Sequence, residues 1–317
     1  MFRPPVPMEP VRRPQPPAGP EWTAEVKWDG VRCLALVEGG RVRLWSRRGR
    51  ERTEQFPELQ ALAGQLRARR ALLDGELVVL RADGRPSFPG ILERDLAVGP
   101  AEARRRAARR PALLVAFDLL AADGDEYLQI PLATRQERLR AILPPGPAAI
   151  PIESFAGAGP ALFRAACQQD LEGVVCKRLD SPYRPGEKSP LWVKVKRRLQ
   201  MLCLVGGYTV TGGRAGAVLL GAHDAEGRLR YLGRAGSGLK EEELSALAAA
   251  LPPAPCPFDP VPRVEADRWA RRPDRVVWVR PLLGVQVEFL EWTEEGRLRS
   301  PVVKGFVPVD PAAVRLE

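Results

Sequence analysis

The sequence of 317 residues has few of the side chains on which many active sites depend. It contains one histidine, His223, which excludes a Ser/His/Asp arrangement and a cluster of histidine metal ligands. Its five cysteines form no Cys-x-x-Cys pair, so we expect no zinc site and no disulfide framework, and we predict a reducing compartment, the cytoplasm. No apolar run approaches the length of a membrane span and no signal peptide is evident at Met1, so we expect no membrane partner.

Lysine is also scarce, since only seven of the 49 basic residues are lysine and the others are arginine. An amine can lose its proton and become a nucleophile, whereas a guanidinium cannot. Four of these lysines, at positions 27, 177, 194 and 196, lie in largely apolar segments with the pattern of strands. Solvated lysines prefer polar helix faces and loops, so this placement favours a chemical role over leftover surface charge.

Positive charge exceeds negative charge, with a formal net charge of +10 and a pI near 9.8. This excess favours a polyanionic partner, nucleic acid before an anionic membrane surface. Coding composition is the alternative source of the many arginines, but it does not by itself explain an excess of base over acid. The length predicts two domains, and a hydrophobic content of 45% is sufficient for a sizeable core.

Two domains follow a short arm. Eight prolines in residues 1–20 predict an extended arm without a fold of its own, and residues 21–198 then predict a domain of strands with flanking helices. Its predicted strands are 21–26, 32–37, 41–45, 71–80 (interrupted at 74–76), 113–120, 172–177 and 191–196, and its predicted helices are 53–67, two within 87–110, 131–143 and 160–169. Residues 199–317, with five short strands and one helix over 240–251, predict an OB-type β-barrel, a fold that often binds nucleic acid.

Six motifs occur in order along the first domain. They are Lys-x-Asp-Gly-x-Arg at 27–32, Ser-Arg-x-Gly at 46–49, Asp-Gly-Glu at 74–76, Phe-Asp at 117–118, Glu-Gly-Val-Val-x-Lys at 172–177 and Trp-Val-Lys-Val-Lys at 192–196. Together they resemble the nucleotidyltransferase motifs of ATP-dependent DNA ligases. The run 181–196 is most similar to the ligase module of bacterial multifunctional end-joining ligases. The resemblance implies an α+β fold, in which a nucleotidyltransferase domain of antiparallel sheets and flanking helices precedes a C-terminal OB-fold β-barrel.

The resemblance also implies site residues. Lys27 would attack the α-phosphate of ATP and carry a lysyl-AMP, which passes to a DNA 5′-phosphate before a 3′-hydroxyl displaces AMP. Nucleotide contacts are implied for Glu25, Arg32, Arg47 (or to the nick phosphate), Glu76 (to ribose), Phe117 (stacked on adenine), Lys177, Lys194, Lys196, Arg299 and Lys304. Glu172, with help from Asp29 or Glu76, would hold Mg²⁺ or Mn²⁺. For Phe117 an ordinary core side chain is the stronger default.

Strand periodicity adds two requirements of its own. Lys194 and Lys196 are two residues apart and therefore share one face of a strand, where two ammonium groups repel unless a polyanion lies over them. Glu172 and Lys177 are five apart, which a regular strand places on opposite faces. If both serve one site, Glu172 must lie at the mouth of the strand beside Gly173.

Near the C-terminus the match is incomplete. Residues 298–305 follow the family pattern, but 306–310 do not supply the later arginine and lysine that would orient pyrophosphate. Either the first step is slow, or Arg299 and Lys304 suffice. An RNA ligase, a capping enzyme and a non-catalytic OB-type nucleic-acid-binding protein remain alternatives. For a ligase the expected partners are nicked or broken double-stranded DNA and, beyond that, a Ku-type end-binding protein or a separate polymerase; we expect a monomer.

Overall fold

A computed structural model of the chain describes residues 4–264, 275–293 and 295–316. The chain divides into two compact units, Met1–Arg197 and Arg198–Glu317. Within the described ranges, every helix is too short or too polar to bridge a lipid bilayer. Each unit has its own hydrophobic core, so each is described separately below.

The first unit consists of eleven strands and five helices in the part of the chain that the structure describes. The strands are β1 (Glu9–Arg12), β2 (Trp22–Val26), β3 (Val31–Glu38), β4 (Arg41–Ser46), β5 (Arg70–Val79), β6 (Ala112–Ala122), β7 (Asp125–Glu126), β8 (Ala149–Pro151), β9 (Phe155–Ala156), β10 (Gly173–Arg178) and β11 (Lys188–Lys196). The helices are α1 (Leu62–Gln65), α2 (Phe88–Asp95), α3 (Pro100–Arg109), α4 (Leu132–Ile142) and α5 (Gly159–Gln168).

These strands form two sheets that share a core cluster. One sheet has the order β1-β11-β10-β2-β9, and the other has the order β4-β3-β5-β6-β7 with β8 beside β6. Alternate residues of β3 face opposite ways, so that Leu34 packs with Trp192 of the first sheet while Ala35 joins the cluster with the helices. In the first sheet, Val174 and Val193 pack toward α5. The opposite faces of β2, β10 and β11 are thereby left for the polar residues of the sequence motifs.

Three local predictions need correction. The helix expected over 53–67 is two short 3-10 turns, Thr53–Gln55 and Pro57–Ala61, followed by the single turn α1, because Pro57 keeps Phe56 out of the helical region. The strand expected to break at 74–76 is continuous as β5, with an irregularity only in its pairing to β6. The proline-rich arm contains β1, which pairs in parallel with β11. The alternation of polar and apolar residues did not predict this strand, because it is short and contains proline.

The second unit consists of six strands and one helix among its described residues. They are β12 (Leu199–Thr211), β13 (Arg214–His223), β14 (Leu229–Ala235), α6 (Glu241–Ala250), β15 (Arg275–Trp278), β16 (Leu283–Phe289) and β17 (Val302–Pro308). The sheet order is β14-β13-β12-β16-β17, and β15 also pairs with β12. The sequence predicted five of these strands and missed β17. An isolated bridge joins Ser237 to Val302, but the strands described here do not close into a continuous hydrogen-bonded barrel.

Candidate active site

The face of the first sheet that is turned away from α5 carries a row of charged side chains. Register places Glu25 of β2 and Lys194 of β11 on either side of Val175 in β10. Lys177, two residues further along β10, donates to Glu25 with an Nζ–Oε2 distance of 2.7 Å, and both side chains are about 2% exposed. Burial raises the pKa of Glu25, and the charge of Lys177 only partly opposes this effect. The pair forms the closed end of the site.

Lys27 directly follows β2. Its backbone lies against Gly173 of β10, and its side chain contacts Glu172, the residue before that glycine. The backbone N–H of Lys27 donates to the carbonyl of Gly173 at 2.9 Å, and Lys27 Nζ lies 2.5 Å from Glu172 Oε2. A Cβ on Gly173, at φ 140°, would lie 2.1 Å from the carbonyl oxygen of Val195, so only glycine allows this approach. Glu172 immediately precedes β10, and its Oε1 is 2.5 Å from Lys196 Nζ. The position required of Glu172 at the strand mouth is therefore the observed one.

The second sheet contributes a buried network around Arg32. Arg32 of β3 donates two hydrogen bonds to Asp74, at 2.7 and 2.6 Å, and one to the carbonyl of Met8 at 2.9 Å. Tyr183 donates its hydroxyl hydrogen to Asp74 at 2.6 Å and accepts the N–H of Met8 at 3.1 Å. Asp74 is fully buried, so its charge needs these partners. The network fixes the orientation of Arg32 and ties the N-terminal arm to the site.

Glu76 has no such bidentate partner among the residues that the structure describes. Burial raises its pKa to about 7, although the positive charges of Lys27 and Arg32 act in the opposite direction. The loop after Lys27 packs closely against β5 at Gly30. A side chain at this position would clash, because a Cβ would lie 2.2 Å from the carbonyl oxygen of Leu77. The structure therefore holds a carboxyl group with a near-neutral pKa beside the lysine amine, in a position to interact with a ligand.

A cavity of about 750 Å³ lies beside these groups, and neither Glu172 nor Lys196 is among the residues that line it. Its lining includes Lys27 together with Glu25, Arg32, Arg47, Glu76, Phe117, Lys177 and Lys194. Phe117 is 9% exposed and belongs to the core cluster between the sheets, yet its ring also lines the cavity, with Lys177 Nζ 4.3 Å from its centroid. The core and ligand-facing interpretations of Phe117 are thus compatible in the described geometry. An aromatic wall beside cations is suited to a nucleobase and its phosphates.

Positive charge accumulates at the open end of the cavity. Burial, followed by the charge of Lys27, lowers the pKa of Lys194. Lys196 shares its strand face but is paired with Glu172, so the repulsion expected between these two lysines is relieved by a carboxylate. Arg47, after β4, pairs with Glu9 of β1 through Nε and Oε1 at 3.0 Å. Anionic ligands would find several cations here at short range.

Two of the predicted nucleotide contacts belong to the second unit. Arg299 pairs with Glu291 in the loop between β16 and β17. Lys304 of β17 is 3.4 Å from Glu288 on the neighbouring strand β16. Both side chains are exposed, and their proposed role in the first step remains a prediction.

Sequence reasoning overlooked several residues that position the site. Gln136 of α4 donates to Glu25 at 2.6 Å and accepts the hydroxyl hydrogen of Ser154 at 3.1 Å. A lone glutamine on a helix carries no sequence signal for this contact. Tyr183 lies in the Ser-Pro-Tyr run that supported the resemblance, so that run could have indicated a structural role. Glu9 was not predicted as a site residue, because the proline-rich composition of the arm predicted no fold there.

Comparison with known proteins agrees with this geometry. The family described as "ATP dependent DNA ligase domain" matches residues 16–196, and the family described as "ATP dependent DNA ligase C terminal region" matches residues 211–308. The first match alone covers more than half of the chain. The two matches fall within the two structural units. The second unit therefore corresponds to the C-terminal OB-fold domain of these enzymes, although its described strands do not close a barrel.

Individual relatives give the same result. The chain is 36% identical over 296 residues to the multifunctional non-homologous end joining protein LigD of Mycolicibacterium smegmatis, and 36% identical over 306 residues to LigD of Pseudomonas aeruginosa. These matches cover 91% and 94% of this chain but only 36% and 35% of the relatives, so the chain spans about a third of their length.

A solved structure, mycobacterial DNA ligase D complexed with ATP and MES, is 33% identical to this chain, and the TM-score is 0.55. The match covers 99% of this chain and 98% of the chain in that structure. The ordered motifs, two matching family domains and this likeness over nearly the whole length agree with one another. The chain is thus a member of the ATP-dependent DNA ligase family.

Proposed function

We propose that Lys27 is the nucleophile of this ligase and that the cavity around it binds ATP. The observation that carries the proposal is the position of Lys27 on the wall of a 750 Å³ cavity that the Glu25–Lys177 pair and Lys194 also line. A base at the closed end, against Phe117, would leave the phosphates near Lys27 and Lys194. The solved structure of mycobacterial DNA ligase D complexed with ATP supports ATP as the ligand.

The resemblance to ATP-dependent DNA ligases implies the reaction that these residues would perform. The Lys27 amine attacks the α-phosphate, a phosphorus–nitrogen bond forms, the bond to the bridging oxygen breaks and pyrophosphate leaves. A DNA 5′-phosphate oxygen then attacks the same phosphorus and displaces Lys27. Finally the 3′-hydroxyl attacks the DNA phosphate, a phosphodiester bond forms and AMP leaves. Fixed cations stabilise the negative charge that develops on phosphate at each step.

Glu172 holds the Lys27 amine in this scheme. A carboxylate oxygen of Glu172 lies 2.5 Å from the amine nitrogen and holds it in an ion pair. The other oxygen of Glu172 already contacts Lys196. Release of the amine therefore requires that Glu172 exchange Lys27 for another cation.

The carboxylates present suit a magnesium or manganese ion. Within the described ranges no three His, Cys, Asp or Glu side chains group as a metal site, but Mg²⁺ commonly takes only one or two carboxylates together with phosphates and water. Glu172 and Glu76 would be those two carboxylates. When bound, the ion supplies positive charge that neutralises phosphate oxygens.

Incubation with α-labelled ATP and magnesium, followed by nicked DNA, tests the proposal. Label should become covalently attached to the protein and should then leave as the nick is sealed. Lys27→Ala should take no label, whereas Lys188→Ala, an exposed lysine on β11 outside the cavity, should label normally. Label that persists in Lys27→Ala would show that the nucleophile is wrong. Label from ATP and not GTP, and sealing of DNA rather than RNA nicks, separates this function from capping and RNA ligation.

We further propose that the enzyme joins broken ends in bacterial DNA repair, in the cytoplasm, with a Ku-type end-binding protein or a separate polymerase as its partner. The relatives named as multifunctional end-joining proteins support this context. The test is the joining of linear DNA with cohesive ends, with and without a Ku-type protein, with a single nick as the control substrate. Stimulation of end joining well beyond any effect on nick sealing is expected. Equal rates in both conditions would contradict the partnership.

A further inference from the structure

The cavity that we propose for ATP contains an acidic side chain, Glu9, that is paired with a predicted nucleotide contact, Arg47. Four carboxylates line it: Glu9, Glu25, Glu76 and Asp95. Glu25 forms a buried ion pair with Lys177, and Asp95 pairs with Arg52 at 3.1 Å. Glu76 is the proposed ligand of the ribose and the metal ion. The remaining carboxylate, Glu9, lies at the open end, where negative charge opposes the binding of an anion.

The fold holds Glu9 firmly in this position. Met8, the residue before it, is fully buried and bonded through its backbone to Arg32 and Tyr183. The backbone N–H of Glu9 donates to the carbonyl of Glu187 at 2.8 Å, and β1 continues beside β11 as far as Lys194. The carboxylate is therefore presented by a strand rather than by a mobile end, and its position is set by contacts on both sides of it.

The partner of Glu9 is a cation that the proposed function requires. Arg47 Nε lies 3.0 Å from Glu9 Oε1, with side chains 58% and 30% exposed. Glu9 also acts on Lys194, whose pKa it raises in opposition to burial and to Lys27. Both basic groups line the same cavity. An oxygen of Glu9 thus occupies a position at Arg47 that a phosphate oxygen would take.

The geometry points to Glu9 as a displaceable counter-ion, which holds Arg47 in place until a substrate phosphate replaces its carboxylate. This inference rests on the proposed function, because it assumes that Arg47 contacts a phosphate of the nucleotide or of the nick. Such a residue lowers affinity for the anion while it keeps the cation oriented and limits the binding of unrelated polyanions. Glu9 is in this sense a positioning and specificity residue, and it forms no bond to the reacting atoms.

Glu9→Gln removes the charge and retains the shape. Because exposed ion pairs are weak, we expect phosphate affinity to increase by about two- to fivefold at low salt, and the gain to shrink as salt screens the charges. The gain should disappear in an Arg47→Gln background, since the effect acts through Arg47. Glu38→Gln is the matched control, because Glu38 is half of a similar surface pair with Arg70 at 2.8 Å but lies outside the cavity.

Two probes identify the phosphate concerned. Calorimetry with tripolyphosphate reports on the site for the nucleotide tail, and binding of nicked DNA with a 5′-phosphate against a 5′-hydroxyl reports on the site for the DNA end. A gain in either probe that vanishes with Arg47→Gln supports the inference and names the source. No gain in either probe, an equal gain in Glu38→Gln, or a gain that survives Arg47→Gln would overturn it.

Thermal unfolding of each variant verifies that the fold is intact. ATP labelling of the wild-type chain is measured in parallel. If Lys27 takes no label, the proposed function fails, whereas the tripolyphosphate measurement still decides the role of Glu9.

Discussion

The raised pKa of Glu76 predicts that this residue destabilises the protein in a manner that depends on pH. Its carboxyl group has an ordinary value of 4.5 and a value of about 7 in the folded chain, so the folded state binds the proton more tightly than the unfolded state. Between these two values the folded chain carries more protons, and its free energy of unfolding must fall as pH rises. Glu76→Gln, which stays neutral at every pH, removes this dependence.

The size of the effect follows from the two values. A gap of roughly 2.5 units, at about 1.4 kcal/mol each, corresponds to about 3 kcal/mol. This is an upper limit, because Glu76 lines the cavity and keeps some contact with solvent. We therefore expect Glu76→Gln to match the wild type below about pH 4.5 and to exceed it by about 1–3 kcal/mol above about pH 8.

Denaturant unfolding followed by tryptophan fluorescence at about pH 5 and about pH 8.5 measures this difference. Glu38→Gln, which removes a surface carboxylate paired with Arg70, controls for the change in net charge. The reasoning would be refuted if the free energies of unfolding of Glu76→Gln and the wild type differed by the same amount at both pH values. It would also be refuted if the wild type became more stable relative to the variant as pH rises. Slower ATP labelling of the more stable variant would show that the residue is kept for function at the expense of stability.

Three substitutions test the buried framework of the site. Tyr183→Phe removes the hydrogen bond to buried Asp74 and should lower the free energy of unfolding by about 1–2 kcal/mol, with slower ATP labelling; an unchanged denaturation midpoint would contradict this role. Arg135→Met leaves the fully buried Asp118 without its cation, so calorimetry should show a loss of about 3–5 kcal/mol, partly recovered when Asp118→Asn is added; no recovery would argue against the ion pair as the cause. Gly173→Ala forces a Cβ against a backbone oxygen at 2.1 Å and should abolish labelling and destabilise the chain by about 2 kcal/mol or more, whereas a fully active alanine variant would contradict the glycine requirement.

Local patterns predicted most of the strands and the face that each presents. The two-residue repeat placed Lys194 and Lys196 together, and β11 has them on one face. The same reasoning failed at 53–67, where the apolar spacing suits a helix but Pro57 restricts the residue before it. It also missed β17 and β1, because short strands with proline or glycine carry little alternation. Periodicity reports on one segment at a time and does not register these interruptions.

By itself the sequence determined which residues could perform chemistry, because side-chain type and spacing along a strand are local properties. It singled out Lys27, Glu172 and Lys177 from few lysines and an ordered set of motifs. Only the tertiary structure decided which side chains pair. Lys27 forms an ion pair with Glu172, 145 residues away, and Arg47, which follows β4 of one sheet, pairs with Glu9 in β1 of the other sheet. Those distances depend on strand register and on the packing of the sheets, which many residues set together and no single segment encodes.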